Sequence, residues 1–214
     1  MFMLKAAIID DGIDASQFKN VKSWVIKKDL SIENENIISV KDNHACTCLK
    51  IIQKYCDMSD VFWHSIKILN DDTKRGNIRQ FIEALRLCEQ LEVKIIHLSI
   101  GTRSYSDFNL IEKSIEALCD KGTIIIAAAC NEGTVAYPAC MNGVIGVKCD
   151  FSATDQQYLY NCNTLDNISF SASARHILRD RGKLRLSLQS NSYAAPIITS
   201  KALSLLTRRP YASF

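Results

Sequence analysis

The sequence has no apolar run long enough to span a bilayer. The longest, Ile124 to Cys130, is seven residues, against the roughly 20 that a spanning helix requires. No transmembrane helix is predicted. Charge of one sign is also lacking. Lys and Arg number 26 against 23 Asp and Glu, and a net charge of +3 calls for neither nucleic acid nor an anionic membrane as a partner. Glycine is scarce, with 8 residues in 214. None builds a phosphate-cradling loop after the first predicted strand, where Asp10-Asp11-Gly12 stands instead, which disfavours a flavodoxin-like enzyme. Met1 to Ile9 is interrupted by Lys5 and runs directly into Asp10 and Asp11, so no signal peptide is read. Repeats and low-complexity tracts are absent.

Nine cysteines are present, an odd number without a framework of spacings, and Cys88, Cys119 and Cys130 lie inside apolar stretches. That usage suits reduced, buried thiols and a cytoplasmic location. His44, Cys46 and Cys48 stand close together, but structural zinc sites use a second, spaced ligand pair, so no metal and no cofactor are expected. With 47% apolar and 23% charged residues, the composition is that of a globular protein, large enough to bury roughly 70% of its unfolded surface without a staple. One domain over residues 1–214 is expected.

Short β-rich runs alternate with helical patterns. Leu4 to Ile9, Val61 to Leu69, Val93 to Ile100, Thr123 to Ala129 and Val144 to Val147 read as strands covered on both faces. His44 to Cys56, Ile78 to Leu91 and Leu110 to Asp120 read as helices, the last stopped by Gly122. The order predicts a three-layer, doubly wound α/β fold with a mostly parallel sheet. Ligand sites in such sheets gather at the carboxyl ends of strands, where Asp10, Ser99 to Gly101 and Cys130 to Gly133 fall. Beyond Asp150 the chain turns polar. Arg175 to Ser187 reads as a hairpin turning at Asp180 to Lys183, and its cations Arg175, Arg179, Arg181, Lys183 and Arg185 read as a solvated face. A final helix is expected after Ser192, with Pro196 in its first turn and Arg208 and Arg209 near its carboxyl end.

Single candidates carry little weight. An aspartate after a strand is common, and a lone histidine opening a helix is more often a cap or a packing residue. Four segments in order carry more: Ile8-Ile-Asp-Asp-Gly-Ile-Asp14, Asn43-His44, Ala127-Ala-Ala-Cys-Asn-Glu-Gly133 and Ser190-Asn-Ser-Tyr-Ala-Ala-Pro196. With Ile96-His-Leu-Ser-Ile-Gly101, this set resembles the subtilisin-like serine peptidases, the subtilases, from about Ala6 to Leu206. The order Asp, His, Ser is the one that family uses. The resemblance implies a catalytic triad of Asp10, His44 and Ser192 and an oxyanion amide from Asn131. It also implies a substrate strand pairing with Ser99, Ile100 and Gly101, and a specificity pocket floored by the segment beginning at Ala136. Asp11 matches the second aspartate of the kexin and furin branch, which helps to bind a basic residue, with Asp71 and Asp72 as further charges.

A serine hydroxyl is a poor nucleophile at neutral pH, which is why the chemistry needs these residue types. The imidazole removes its proton and returns it to the leaving amine, the carboxylate fixes the tautomer, and the amide steadies the oxyanion. The sequence departs from the family pattern around that chemistry. Ala45, Cys46 and Thr47 replace the glycine, threonine and second histidine after His44, Cys130 replaces the glycine before Asn131, and Ser190 and Asn191 replace Gly-Thr before Ser192. Retention of all four catalytic residues points to a narrow substrate. The resemblance implies an intracellular endopeptidase that folds without a prodomain and processes a specific peptide, such as the leader of a ribosomally made natural product. Its only expected partner is that peptide or protein substrate. The competing reading is a subtilase-fold peptide-binding module with little or no turnover. Oligomeric state is not legible.

Overall fold

The computed structural model describes residues 3–35, 43–162, 164–180 and 182–208. Its frame is a nine-stranded sheet. In chain order the strands are β1 (Leu4–Asp10), β2 (Val21–Ile26), β3 (Ile32–Asn34), β4 (Val61–Lys67), β5 (Ile95–Leu98), β6 (Ile124–Ala128), β7 (Val144–Cys149), β8 (Tyr158–Tyr160) and β9 (Phe170–Ala172). They are ordered β3-β2-β4-β1-β5-β6-β7-β9-β8, and only the two edge strands, β3 and β8, run antiparallel to their neighbours. β10 (Ile177–Asp180) and β11 (Lys183–Leu186) form a separate hairpin whose turn uses Gly182 at φ +83°.

Four helices cover the sheet: α1 (His44–Tyr55), α2 (Ile78–Gln90), α3 (Phe108–Asp120) and α4 (Asn191–Arg208). Alternation along β1 decides the layers. Ala6 and Ile8 face a core with Leu49 and Ile52 of α1 and Ala194 and Ile198 of α4. Ala7 and Ile9 face the opposite core with Phe81 and Leu85 of α2 and Ile111 and Ile115 of α3. The three-layer expectation holds, with α1 and α4 together on one face.

Several details differ from the sequence reading. β2, β3, β8 and β9 were not anticipated: they are short or mixed in character, and every residue of β8 is exposed. α4 begins at Asn191, so Ser192 sits inside its first turn and Pro196 is interior, not in the first turn. Cys119 and Cys130 are half-buried, unlike the fully buried Cys88. Arg181 and Arg209 lie outside the described residues, as does the Arg208 side chain.

Close packing at β7 provides a test of the core. A Cβ added to Gly146 would stand 2.4 Å from the Ala139 carbonyl oxygen and 2.7 Å from Ile168 Cδ1. The backbone oxygen cannot yield cheaply. Gly146→Ala is expected to destabilise the protein by ~1–3 kcal/mol. Urea unfolding should show this as a lower midpoint at an unchanged slope; an unaltered midpoint would refute the packing argument.

Candidate active site

β1 is central, and its carboxyl end delivers Asp10 beside the carboxyl end of β5, where connections leave toward opposite sides of the sheet. The Asp10 side chain is fully buried. Its Oδ1 accepts from the Asp11 amide at 2.8 Å, and its Oδ2 lies 2.7 Å from His44 Nδ1. A buried carboxylate needs such partners to offset its lost hydration.

His44 is brought there by the amino end of α1. Asn43 caps the helix, its Oδ1 accepting from Cys46 N at 2.9 Å while its amide donates to Gly12 O. Asp11 receives the next free amides, with His44 N donating to Oδ2 at 3.1 Å and Ala45 N to Oδ1 at 3.0 Å. An anion at a helix amino end is favourable on both hydrogen-bonding and dipole grounds. The Asp11 side chain is only 2% exposed and also meets Lys74 Nζ at 3.4 Å. Its carboxylate therefore serves α1 and is partly offset by the Lys74 charge. Asp71 is paired with Lys67 at 2.7 Å.

Burial alone would depress the His44 imidazole, but the hydrogen bond and charge of Asp10, helped by Asp11, outweigh it and hold the pKa above 6.5. The Tyr193 ring lies over His44 with centroids 5.3 Å apart. Cys48 completes a trio with Asp10 and His44 whose ligand atoms lie within 4.8 Å of one another. The Nδ1 that would face a metal there is engaged by Asp10, and burial pushes the Cys48 thiol well up.

Two adjoining cavities meet at His44 and Tyr193. One, of about 810 Å3, is walled by Asp10, Asp11, Ser99, Ile100, Gly101 and Arg185. The other, of about 830 Å3, is walled by Asn131, Ser190, Asn191, Ser192 and the Cys130 loop. The structure thus brings Asp10, His44, Asn131, Ser192 and the 99–101 segment to one groove. Among the described residues no hydrogen bond joins the Ser192 hydroxyl to the His44 ring. Ala136 is not brought to the groove: it is 6% exposed, while its neighbours Val135 and Cys140 line the second cavity. Gly101 is held tightly, since a Cβ there would meet Tyr137 O at 2.7 Å beside the Thr102–Tyr137 bridge.

In the sequence Asn191 stands out only as a replacement in the segment before Ser192. The structure makes it a bracket. Its Oδ1 accepts from Cys149 N at 2.7 Å, and its Nδ2 donates to Ala129 O and Cys130 O at 3.1 and 2.9 Å. Its own backbone N–H donates to Asn131 Oδ1 at 2.8 Å. That bond fixes the orientation of the Asn131 amide, whose nitrogen has no protein partner among the described residues.

A doubly wound sheet with a carboxylate–imidazole pair at its carboxyl edge, in a groove that also holds a serine from the first turn of a helix, carries the groups that hydrolytic chemistry uses. Compared with known families, residues 4–213 match the Subtilase family. The chain belongs to that family and is a subtilisin-like hydrolase. No curated protein matches the sequence. Among solved structures, the S41 psychrophilic protease is similar at a TM-score of 0.73 and 20% identity, over 99% of this chain and 79% of that one. The prenylagaramide maturation protease PagA is similar at 0.69 and 18%, over 98% and 78%. The epidermin leader peptide processing serine protease from Staphylococcus aureus is similar at 0.70 and 12%, over 96% and 65%. At these identities the likeness is one of fold. Among the described residues no helix is long and apolar enough to cross a membrane.

The raised imidazole pKa has a definite sign. The protonated ring is favoured in the folded state, so its stabilisation is fully present below pH 6.5 and is lost as pH rises through the higher folded value. His44 should therefore titrate above 6.5 by proton NMR, and Asp10→Asn should move its midpoint down. A midpoint below 6.5 in the unmutated protein would contradict the ion-pair geometry.

Proposed function

We propose that the chain is a serine endopeptidase, acting as one domain, in which Ser192 is the nucleophile, His44 the general base and acid, and Asp10 the group that orients His44. The observation that carries this reading is the 2.7 Å contact between buried Asp10 and His44 Nδ1, with His44, Asn131 and Ser192 lining a single cavity. With Nδ1 hydrogen donated to Asp10, Nε2 is left as the basic lone pair. It takes the Ser192 proton as the hydroxyl attacks the peptide carbonyl, then returns that proton to the departing amine. The Asn131 amide nitrogen and the Ser192 backbone N–H, at the amino end of α4, are the donors for the oxyanion. The Ser192–His44 hydrogen bond forms on substrate binding, as catalytic contacts often do in ligand-free enzymes.

Substrate lies along the two cavities as an extended strand, using the backbone at Ser99, Ile100 and Gly101. Ala136 acts from beneath the specificity pocket, and Asp11 contributes charge to the first cavity's wall. Among the similar structures are a maturation protease and a leader peptide processing protease, which supports removal of a leader from a specific precursor peptide. Among the described residues no cysteine forms a disulfide, which supports a cytoplasmic setting. The absence of a Ser192–His44 hydrogen bond favours one alternative, a peptide-binding module without turnover.

A fluorophosphonate probe separates the two. Labelling of the folded protein should vanish in Ser192→Ala, and Asn131→Ala should slow it by ~100- to 1000-fold, the loss known from subtilisin when an oxyanion amide is removed. Peptide binding with no labelling of the unmutated protein would establish the module instead. The labelling rate should also rise with pH through a midpoint above 6.5, following neutral His44; a flat profile from pH 5 to 8 would remove His44 as the base.

A further inference from the structure

Proline writes a defect into the start of α4. Pro196 has no amide hydrogen, so the carbonyl four residues earlier, that of Ser192, has no helical donor. Other elements supply the bond. The Ser99 hydroxyl donates to Ser192 O at 3.2 Å, and the Cys48 thiol reaches the same oxygen at 3.6 Å. On the next carbonyl, His176 Nε2 lies 2.8 Å from Tyr193 O. Behind Ser99 stands His97, with Nε2 3.0 Å from Ser99 Oγ and Nδ1 2.8 Å from Thr199 Oγ1. His97 and His176 are both fully buried.

Donor accounting assigns the tautomers. With the single Ser99 hydrogen given to Ser192 O, Ser99 Oγ accepts from His97 Nε2–H. His97 Nδ1 then accepts from the Thr199 hydroxyl at 2.8 Å, the one Thr199 hydrogen turning to the ring rather than to Ala195 O at 3.2 Å. By the same logic His176 carries its hydrogen on Nε2, and its Nδ1 meets the Tyr55 hydroxyl at 3.1 Å. Burial lowers both imidazoles, His97 to about 3, so each remains neutral and offers one N–H to the nucleophile's turn. A buried imidazole in the middle of a strand loses its hydration, and an aliphatic residue would fill β5 without that cost. Hydrogen bonds directed at one helical turn distinguish these two rings from ordinary core side chains.

We infer that His97, through Ser99, and His176, directly, are positioning residues that hold the two successive carbonyls of Ser192 and Tyr193, and so set the Ser192 side chain and the Tyr193 ring against His44. This rests on Ser192 being the nucleophile. The test is fluorophosphonate acylation of the full chain, with the maximal rate and the half-saturating probe concentration read separately. His97→Leu should lower the maximal rate by about 10-fold, the loss of one hydrogen bond, with half-saturation changed less than two-fold. His97→Gln, whose amide nitrogen reaches the Nε2 position, should recover most of that loss. Ser99→Ala should fall as far as His97→Leu, and the double variant no further, because the two act in series; His176→Leu should multiply with either.

A wild-type maximal rate in His97→Leu, a His97→Gln no better than His97→Leu, or a double variant whose losses multiply would each overturn the inference. If His97→Leu does not fold by circular dichroism, Ser99→Ala decides alone, and an undiminished maximal rate overturns it. Failure of the unmutated protein to label would remove Ser192 as nucleophile and this role with it. Labelling that is intact but insensitive to these variants removes only the positioning role.

Discussion

A carboxylate buried at the end of the central strand dictates much of what surrounds it. Asp10 has no exposure to solvent, and a charge in that position is tolerable only with donors on its oxygens. One donor is local, the Asp11 amide; the other is His44, from a different element. That requirement fixes where α1 must start. Asn43 and Asp11 then satisfy the amides that a helix start leaves open. The same carboxylate holds the ring in one tautomer and raises its proton affinity through a single 2.7 Å contact.

The opposite wall is built from α4, and its construction is less regular. Asn191 ties the helix start to the carboxyl ends of β6 and β7 through four hydrogen bonds, including the one its backbone donates to Asn131. One residue later, the carbonyl that Pro196 leaves without a helical partner turns to Ser99 and Cys48. The turn that carries Ser192 is therefore held by side chains from the end of β5 and from α1 rather than by its own helix alone. Polar groups run through the middle of an otherwise aliphatic layer, and nearly all of them are matched.

Legibility followed burial and pattern. β1, β4, β5, β6 and β7 are visible as continuous apolar runs because both of their faces are covered. β2, β3, β8 and β9 are short or mixed edge-side segments whose pairing depends on neighbours, and no local pattern announces them. His97 and His176 each read as one polar residue in a strand or loop. Nothing at a single position signals that both rings serve the helical turn of Ser192 and Tyr193. Ala136 is the reverse case: the motif match places it at the groove, and the structure buries it beside Val135 and Cys140, which line the cavity.

By itself the sequence determined the layer architecture, the starts of α1 and α2 and the order of the chemically capable residues, because hydrophobic period, capping side chains and motif order are local properties of a chain. Only the tertiary structure decided what those residues face. Asp11 spends its charge on a helix end, Asn131 is oriented by the amide of Asn191, and the carbonyl freed by Pro196 finds its donors on β5 and α1. Each of these depends on atoms tens of residues apart meeting within about 3 Å, the reach of a hydrogen bond, and that distance is set by how the layers pack.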